Sequence, residues 1–342
     1  MSEILVEVRR GDYVECVHRG SVAVVDLDGR LVASVGDPDC VTFMRSAAKP
    51  IQALAVVESG AYEEFGLTER ELAVMCASHS SEPCHVEVVL GILRKLGLDE
   101  SYLQCGTHLP THGPSAKALL REGREPTAVH SNCSGKHAGM LALARRMGWS
   151  LDDYWTEDHP VQRLCLENVA AVTGYPARAI GVAKDGCGVA VFALPLRHMA
   201  LGFARLACPG DPRTGFGPER ARAAALVVRA MRAHPEMVAG TGRLCTALLR
   251  ATPVLAKGGA EGVYCFGVPG RGLGCALKID DGGSRAVGPA VVRVLEELGV
   301  VGPDLPGELE PFRRPRNTNH RDEVIGSIEP VFRLKVAGRL PA

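Results

Sequence analysis

The order of elements along the chain predicts an α+β fold. An antiparallel sheet is built from both ends of the chain, helices pack on it, and a helical lobe is inserted between. Three observations carry this prediction. Near the start, Ser21 to Asp26 and Leu31 to Val35 flank Leu27-Asp28-Gly29-Arg30, a β-hairpin signal. Late in the chain, Glu261 to Val268 and Leu273 to Ile279 pair across Pro269-Gly270-Arg271-Gly272. Between them lie helical patterns at 159–173, 218–233 and 239–251, with no regular strand–helix–strand winding.

The elements follow in order. Residues 1–35 read as β structure. A first helix opens around Ser46 and runs through the apolar stretch to Gly60. Leu72 to Ala77 reads as a short buried strand ending in Ser78-His79-Ser80-Ser81. His85 to Leu96 is a helix with Pro83 near its start. Residues 105–115, rich in Pro, Thr and Gly, are a loop, and Ser131 to His137 is a polar loop feeding a helix N-terminus. Lys184-Asp185-Gly186-Cys187-Gly188 is a tight turn before a strand, 285–298 is helical, and 302–325 reads as loop. With 342 residues and no internal repeat or low-complexity linker, the chain is expected to form a single two-lobed catalytic domain over 1–342.

Composition narrows the function classes. The 39 acidic and 39 basic side chains balance, with no basic arm or acidic tail, which argues against nucleic acid and anionic membrane as partners. The N-terminus carries early acids and no apolar segment of the secretory kind. Twelve cysteines, several inside apolar runs, read as reduced core thiols, and the expected location is the cytoplasm.

Ser46-Ala47-Ala48-Lys49 places a hydroxyl and an amine one helical turn apart, so that a lysine can take the proton of a nucleophilic serine. Serine β-lactamases and penicillin-binding proteins use the same S-x-x-K spacing. Given fifteen serines and eight lysines, chance puts a lysine three after some serine about a third of the time. The scarcity of lysine is more informative. Eight lysines stand against thirty-one arginines, and arginine cannot deprotonate in a protein. Lys49, Lys136 and Lys257 each sit within a few residues of Ser, Cys or Gly.

Other motifs carry two readings each. Ser78-His79-Ser80-Ser81 is a hydroxyl presented into a cleft or a plain helix cap. Cys133 and His137, with Cys187, form a soft-plus-imidazole metal set by spacing, or Cys133 is a cysteine nucleophile, or the thiols are apolar filling. Lys257-Gly258-Gly259 stands where a β-lactamase-like protein keeps its K-T-G lysine, or is a turn. Ser134-Gly135-Lys136 is no P-loop, because His130 stands where a glycine belongs and no Ser or Thr follows the lysine.

Together, Met44-Arg45-Ser46-Ala47-Ala48-Lys49-Pro50, Cys76 to Ser80, His130 to His137, Lys184 to Gly188 and Ala256 to Gly262 resemble the class 3, rhizobial-type L-asparaginases, over roughly residues 10 to 335. The resemblance implies a fold similar to serine β-lactamases and glutaminases, assembled as a homodimer. It implies an amidohydrolase turning L-asparagine and water into L-aspartate and ammonia. It further implies two Ser–Lys tandems, Ser46–Lys49 and Ser78–Lys257, and a zinc ion on Cys133, Lys136 and Cys187 that assists substrate binding. Arg45, His137 and Asp185 are then candidates for orienting substrate or ligands. The competing expectations are a β-lactamase- or transpeptidase-like serine acyl enzyme, a glutaminase, and a non-enzymatic zinc- or amino-acid-binding protein.

Overall fold

A computed structural model describes residues 1–337. Its strands are β1 (Glu3–Arg10), β2 (Tyr13–Asp26), β3 (Leu31–Val35), β4 (Val41–Phe43), β5 (Gly181–Lys184), β6 (Ala190–Pro195), β7 (Leu255–Gly258), β8 (Val263–Val268), β9 (Leu273–Ile279), β10 (Arg316–Thr318), β11 (Val324–Pro330) and β12 (Lys335–Val336). Its helices are α1 (Lys49–Glu58), α2 (Ala61–Glu64), α3 (Glu69–Met75), α4 (Pro83–Lys95), α5 (Gly113–Arg121), α6 (Ser134–Met147), α7 (Pro160–Thr173), α8 (Leu196–Ala207), α9 (Pro218–Ala233), α10 (Pro235–Val238), α11 (Leu244–Ala251), α12 (Ser284–Glu297) and α13 (Glu310–Arg313). This is the expected mixture of helices and antiparallel sheet. The chain folds into two compact units. One combines residues 1–47, 193–214 and those from 247 on; the other combines 48–192 and 215–246.

The first unit is the sheet. Its strands run in the order β10-β11-β1-β2-β9-β8-β7, and β3 adds to β2 and β12 to β3. Every pairing is antiparallel, with Val24 opposite Cys275 and Cys265 opposite Ala276. In β2 the run Val22-Ala23-Val24-Val25 is fully buried, as is nearly all of β8 and β9. Continuous burial rather than alternation means both sheet faces are covered here. Helix α8 packs on β8 and β9. It comes so close that a Cβ on Gly274 would lie 1.9 Å from the Ala200 carbonyl oxygen, and one on Gly267 2.1 Å from that of Phe203. Only glycine lets a helix backbone settle on a strand at this distance.

The second unit is helical. Helix α1 packs against α6, α7 and α9, and α3 against α6 and α9. Residues Lys49 to Val57 of α1 are all buried, so this helix is enclosed on every side. Helix α6 approaches α3 through two glycines one turn apart, Gly135 beside the Val74 main chain and Gly139 beside the Met75 side chain.

Two local expectations are corrected. Leu72 to Ala77 is not a strand; it lies mainly in helix α3. Thr68 and Glu71 form a reciprocal capping box, the Thr68 hydroxyl accepting from the Glu71 amide and the Glu71 carboxylate accepting from the Thr68 amide. An apolar run this short has no period that separates a buried strand from a buried helix. The first helix also begins later than expected. Arg45–Ala48 form a 3-10 turn, and the α-helix starts at Lys49 with Pro50 in its first turn. Among the described residues, no helix is long and apolar enough to cross a membrane.

Candidate active site

The second unit builds a buried polar cluster around Lys49. Its residue is 1% exposed, at the head of an otherwise apolar helix. Lys49 Nζ lies within hydrogen-bond distance of the Ala77 carbonyl, Ser78 Oγ at 3.2 Å, the Asn132 carbonyl at 3.4 Å and Cys133 Sγ at 3.2 Å, one group more than three N–H bonds can serve at once. The structure therefore brings Lys49 to Ser78 and Cys133, residues that lie 29 and 84 positions further along the chain. Ser78 sits just beyond the C-terminus of α3, where its amide donates to the Val238 carbonyl at 3.0 Å. That end of the helix is what points Ser78 at Lys49.

Next to this pair, Cys133 and Lys136 enter with the first turn of α6, and Cys187 enters from the turn between β5 and β6. All three are buried. Lys136 Nζ donates to Cys187 Sγ at 2.9 Å. The two sulfurs share a hydrogen bond, and that bond, with Lys49 and Lys136 nearby, outweighs burial and holds Cys133 well below the usual thiol range. Bonding to Cys133 and burial push Cys187 up. Burial alone would lower Lys136, but the two sulfurs overcome it and raise it. Asp185 closes the turn, its carboxylate accepting from the Gly186 amide at 2.9 Å.

Two buried sulfurs and an amine, converging from two elements, fit a zinc ion, which takes soft thiolate and nitrogen donors. The fit needs Lys136. Among the described residues, no group of three or more His, Cys, Asp or Glu is placed to hold a metal. His137, the imidazole that spacing alone offered as a ligand, is turned elsewhere; its Nδ1 meets Tyr154 Oη at 2.7 Å.

The histidine beside Ser78 is committed to structure. Ser134 Oγ gives its own proton to the Val129 carbonyl, so it accepts from His79 Nε2 at 2.9 Å. His79 Nδ1 accepts from the Ser81 amide at 3.2 Å. With both nitrogens used, and with burial plus His85 and Lys49 keeping it well below the ordinary imidazole range, His79 is a neutral brace and not a base for Ser78. Ser80 Oγ donates to Glu82 at 2.7 Å, and Ser81 holds a left-handed φ of 61°.

The first unit carries Ser46, Arg45 and Lys257. Arg45 has φ of 51°, a strained conformation for a residue with a side chain, immediately before Ser46. A Cβ on Gly259 would lie 2.6 Å from the Met44 carbonyl oxygen. The strand end Lys257-Gly258-Gly259 therefore lies against the turn that bears Ser46, and glycine is required there. Arg45 lies 3.8 Å from Glu261. Lys257, 1% exposed, donates to the Gly258 carbonyl at 2.8 Å.

One participant had no signature in the sequence. Tyr154, fully buried, accepts from the Gln104 amide at 3.0 Å and touches His137. A tyrosine in a polar loop belongs to no motif, and only its partners reveal it.

A buried lysine thus meets a serine hydroxyl, and a second buried lysine meets one of two paired sulfurs. A model of the L-asparaginase II family matches residues 6–330. The chain belongs to the L-asparaginase II family. Among solved structures it is similar to Mglu in its native form, at 18% identity over 84% of this chain and 66% of that one, with a TM-score of 0.47. It is also similar to a Bacillus glutaminase (13%, 82% and 91%, TM-score 0.40) and to the simvastatin synthase LovD from Aspergillus terreus (14%, 76% and 85%, TM-score 0.38). The chain spans just under two thirds of the length of Mglu, and at these TM-scores no argument rests on the likeness. No curated protein matches the sequence.

Proposed function

We propose that this protein hydrolyses the side-chain amide of L-asparagine to L-aspartate and ammonia through a serine acyl-enzyme. The observation that carries the reading is the position of Lys49, buried between main-chain carbonyls and the Ser78 hydroxyl in a chain of this family. In its neutral form Lys49 places two N–H bonds on the carbonyls of Ala77 and Asn132. Its lone pair is then left to receive a hydroxyl proton. Ser46 attacks the amide carbon, Lys49 takes its proton and returns it to the leaving nitrogen, and ammonia departs. Water then hydrolyses the ester. Ser78, bonded to Lys49, relays the proton or donates to the developing oxyanion. Ser46 and Lys257 enter through the family motifs. A second reading interchanges the two serines, and the Lys49–Ser78 hydrogen bond favours it. Arg45 and Asp185 are proposed to orient the substrate.

An ammonia assay with L-asparagine and L-glutamine, with and without chelator, tests the reaction. Nitrocefin hydrolysis tests the β-lactamase alternative. Asparagine binding without ammonia release would sink the enzyme reading. Ser46→Ala and Ser78→Ala are each expected to lower kcat by about 10²- to 10⁴-fold. The acyl group, trapped by acid quench and located by peptide mass, is expected on Ser46; finding it on Ser78 assigns the nucleophile there. Turnover unchanged in Ser46→Ala removes Ser46 from the chemistry.

We also propose that Cys133, Lys136 and Cys187 hold Zn²⁺, which when bound would supply a positive centre for the substrate. Elemental analysis is expected to give one zinc per chain in the wild type and none in Cys133→Ser or Cys187→Ser. Chelation is expected to raise KM more than it lowers kcat. A metal content equal in all three proteins refutes the site. The assembly is proposed as a homodimer, which light scattering tests.

A further inference from the structure

We propose that Tyr154 is a positioning residue that locks His137 in the tautomer with its proton on Nε2, making this N–H the buried donor for a carboxylate or carbonyl oxygen of a bound amino acid. The inference rests on the amino-acid-binding part of the proposed function. The tautomer follows from counting protons. Tyr154 Oη accepts the Gln104 amide at 3.0 Å and lies 2.7 Å from His137 Nδ1. A phenol has one proton to give, and Gln104 N, a donor, cannot take it. If Nδ1 carried the ring proton, the phenolic O–H would be left buried without an acceptor. With Nδ1 as acceptor, the O–H is satisfied and the ring proton is on Nε2.

The tyrosine is itself held from two sides. Gln162 Nε2 donates to its carbonyl at 2.9 Å, and Gln162 Oε1 accepts from the Ala190 amide at 3.3 Å, which ties the loop to α7 and β6. The His137 and Tyr154 rings meet edge-on, 5.5 Å between centroids at 76°. The other end of the imidazole is different. His137 is 0% exposed, and among the described residues its Nε2 has no hydrogen-bond partner. A buried polar atom without a partner is rare, and here the described residues of the protein supply no acceptor for it. His137 follows Lys136 directly in the chain, at the head of α6. A buried N–H donor calls for an acceptor, and the oxygens of an amino-acid carboxylate or amide are acceptors.

Long-range ¹H–¹⁵N spectra of the full-length protein labelled at histidine test this directly. His137 is expected in the Nε2–H form in the wild type and as a mixture of both tautomers in Tyr154→Phe. L-aspartate, added as the product probe, is expected to shift the Nε2–H resonance of the wild type. In turnover, Tyr154→Phe is expected to raise KM for L-asparagine about tenfold with kcat changed much less, the mark of lost binding. His137→Gln, which keeps a donor near the Nε2 position, is expected to retain affinity that His137→Ala loses. A wild-type Nδ1–H ring, or an Nε2–H resonance that L-aspartate leaves unmoved, overturns the inference, and both are read without the variant. A protein that releases no ammonia but shows the Nε2–H form and its aspartate shift loses the proposed reaction and keeps this donor.

Discussion

Replacing Lys49 with methionine is expected to lower kcat for L-asparagine by about 10³-fold, the worth of a general base placed against its nucleophile. Methionine fills the space of the lysine stem inside α1, so the apolar packing around it survives. The polar end is lost. The carbonyls of Ala77 and Asn132 then lose their bond from Lys49, and a buried acceptor left unsatisfied costs about 1–3 kcal/mol. A lower thermal midpoint is therefore expected as well, and by itself would not separate a base from a brace. Lys49→Arg separates them. Arginine supplies the charge and the donors but never a lone pair. If Lys49 is the base, Lys49→Arg is as inactive as Lys49→Met while recovering part of the stability. Turnover within tenfold of wild type in either variant removes Lys49 from the proton transfer.

Gly135→Ala is expected to destabilise the second unit by about 3 kcal/mol and to lower the thermal midpoint by roughly 5–10 °C. The new methyl would sit 2.2 Å from the Val74 carbonyl oxygen and 2.8 Å from its carbon. Main-chain atoms cannot rotate away, so α6 must move off α3. The same helix turn carries Cys133 and Lys136, and zinc content and KM are expected to suffer with the fold. Two other glycines calibrate the effect. Gly139→Ala meets the Met75 side chain at 3.0 Å, which can repack, so a smaller loss is expected. Gly113→Ala meets nothing within 4 Å and is expected to be silent. Three variants with equal midpoints would refute the close approach of these helices.

The hairpins β2–β3 and β8–β9 were legible in the sequence because their turn residues and β-branched runs act locally. Helices α7, α9 and α12 were legible because their periodic patterns span several turns. The apolar run before Ser78 reads as a strand but folds mainly as a helix. Its helix is set by Thr68 and Glu71, four and one residues upstream of Leu72, and by packing against α6 and α9. The lysine bias likewise singled out Lys49, Lys136 and Lys257, and all three are buried. Their partners had to come from the fold. Spacing alone grouped Cys133 with His137, but Lys136 is the side chain against Cys187, and His137 turns to Tyr154.

By itself, the sequence determined the α+β class, the two hairpins, most long helices and the list of motif residues, because hydrophobic period, turn chemistry and residue choice act over a few positions. Only the tertiary structure decided that Lys49 meets Ser78 and Cys133, that Lys136 meets Cys187, that His79 is a brace, and that His137 meets Tyr154. Those contacts join residues up to 84 positions apart, and the directions of buried hydrogen bonds are settled only when the whole core has closed around them.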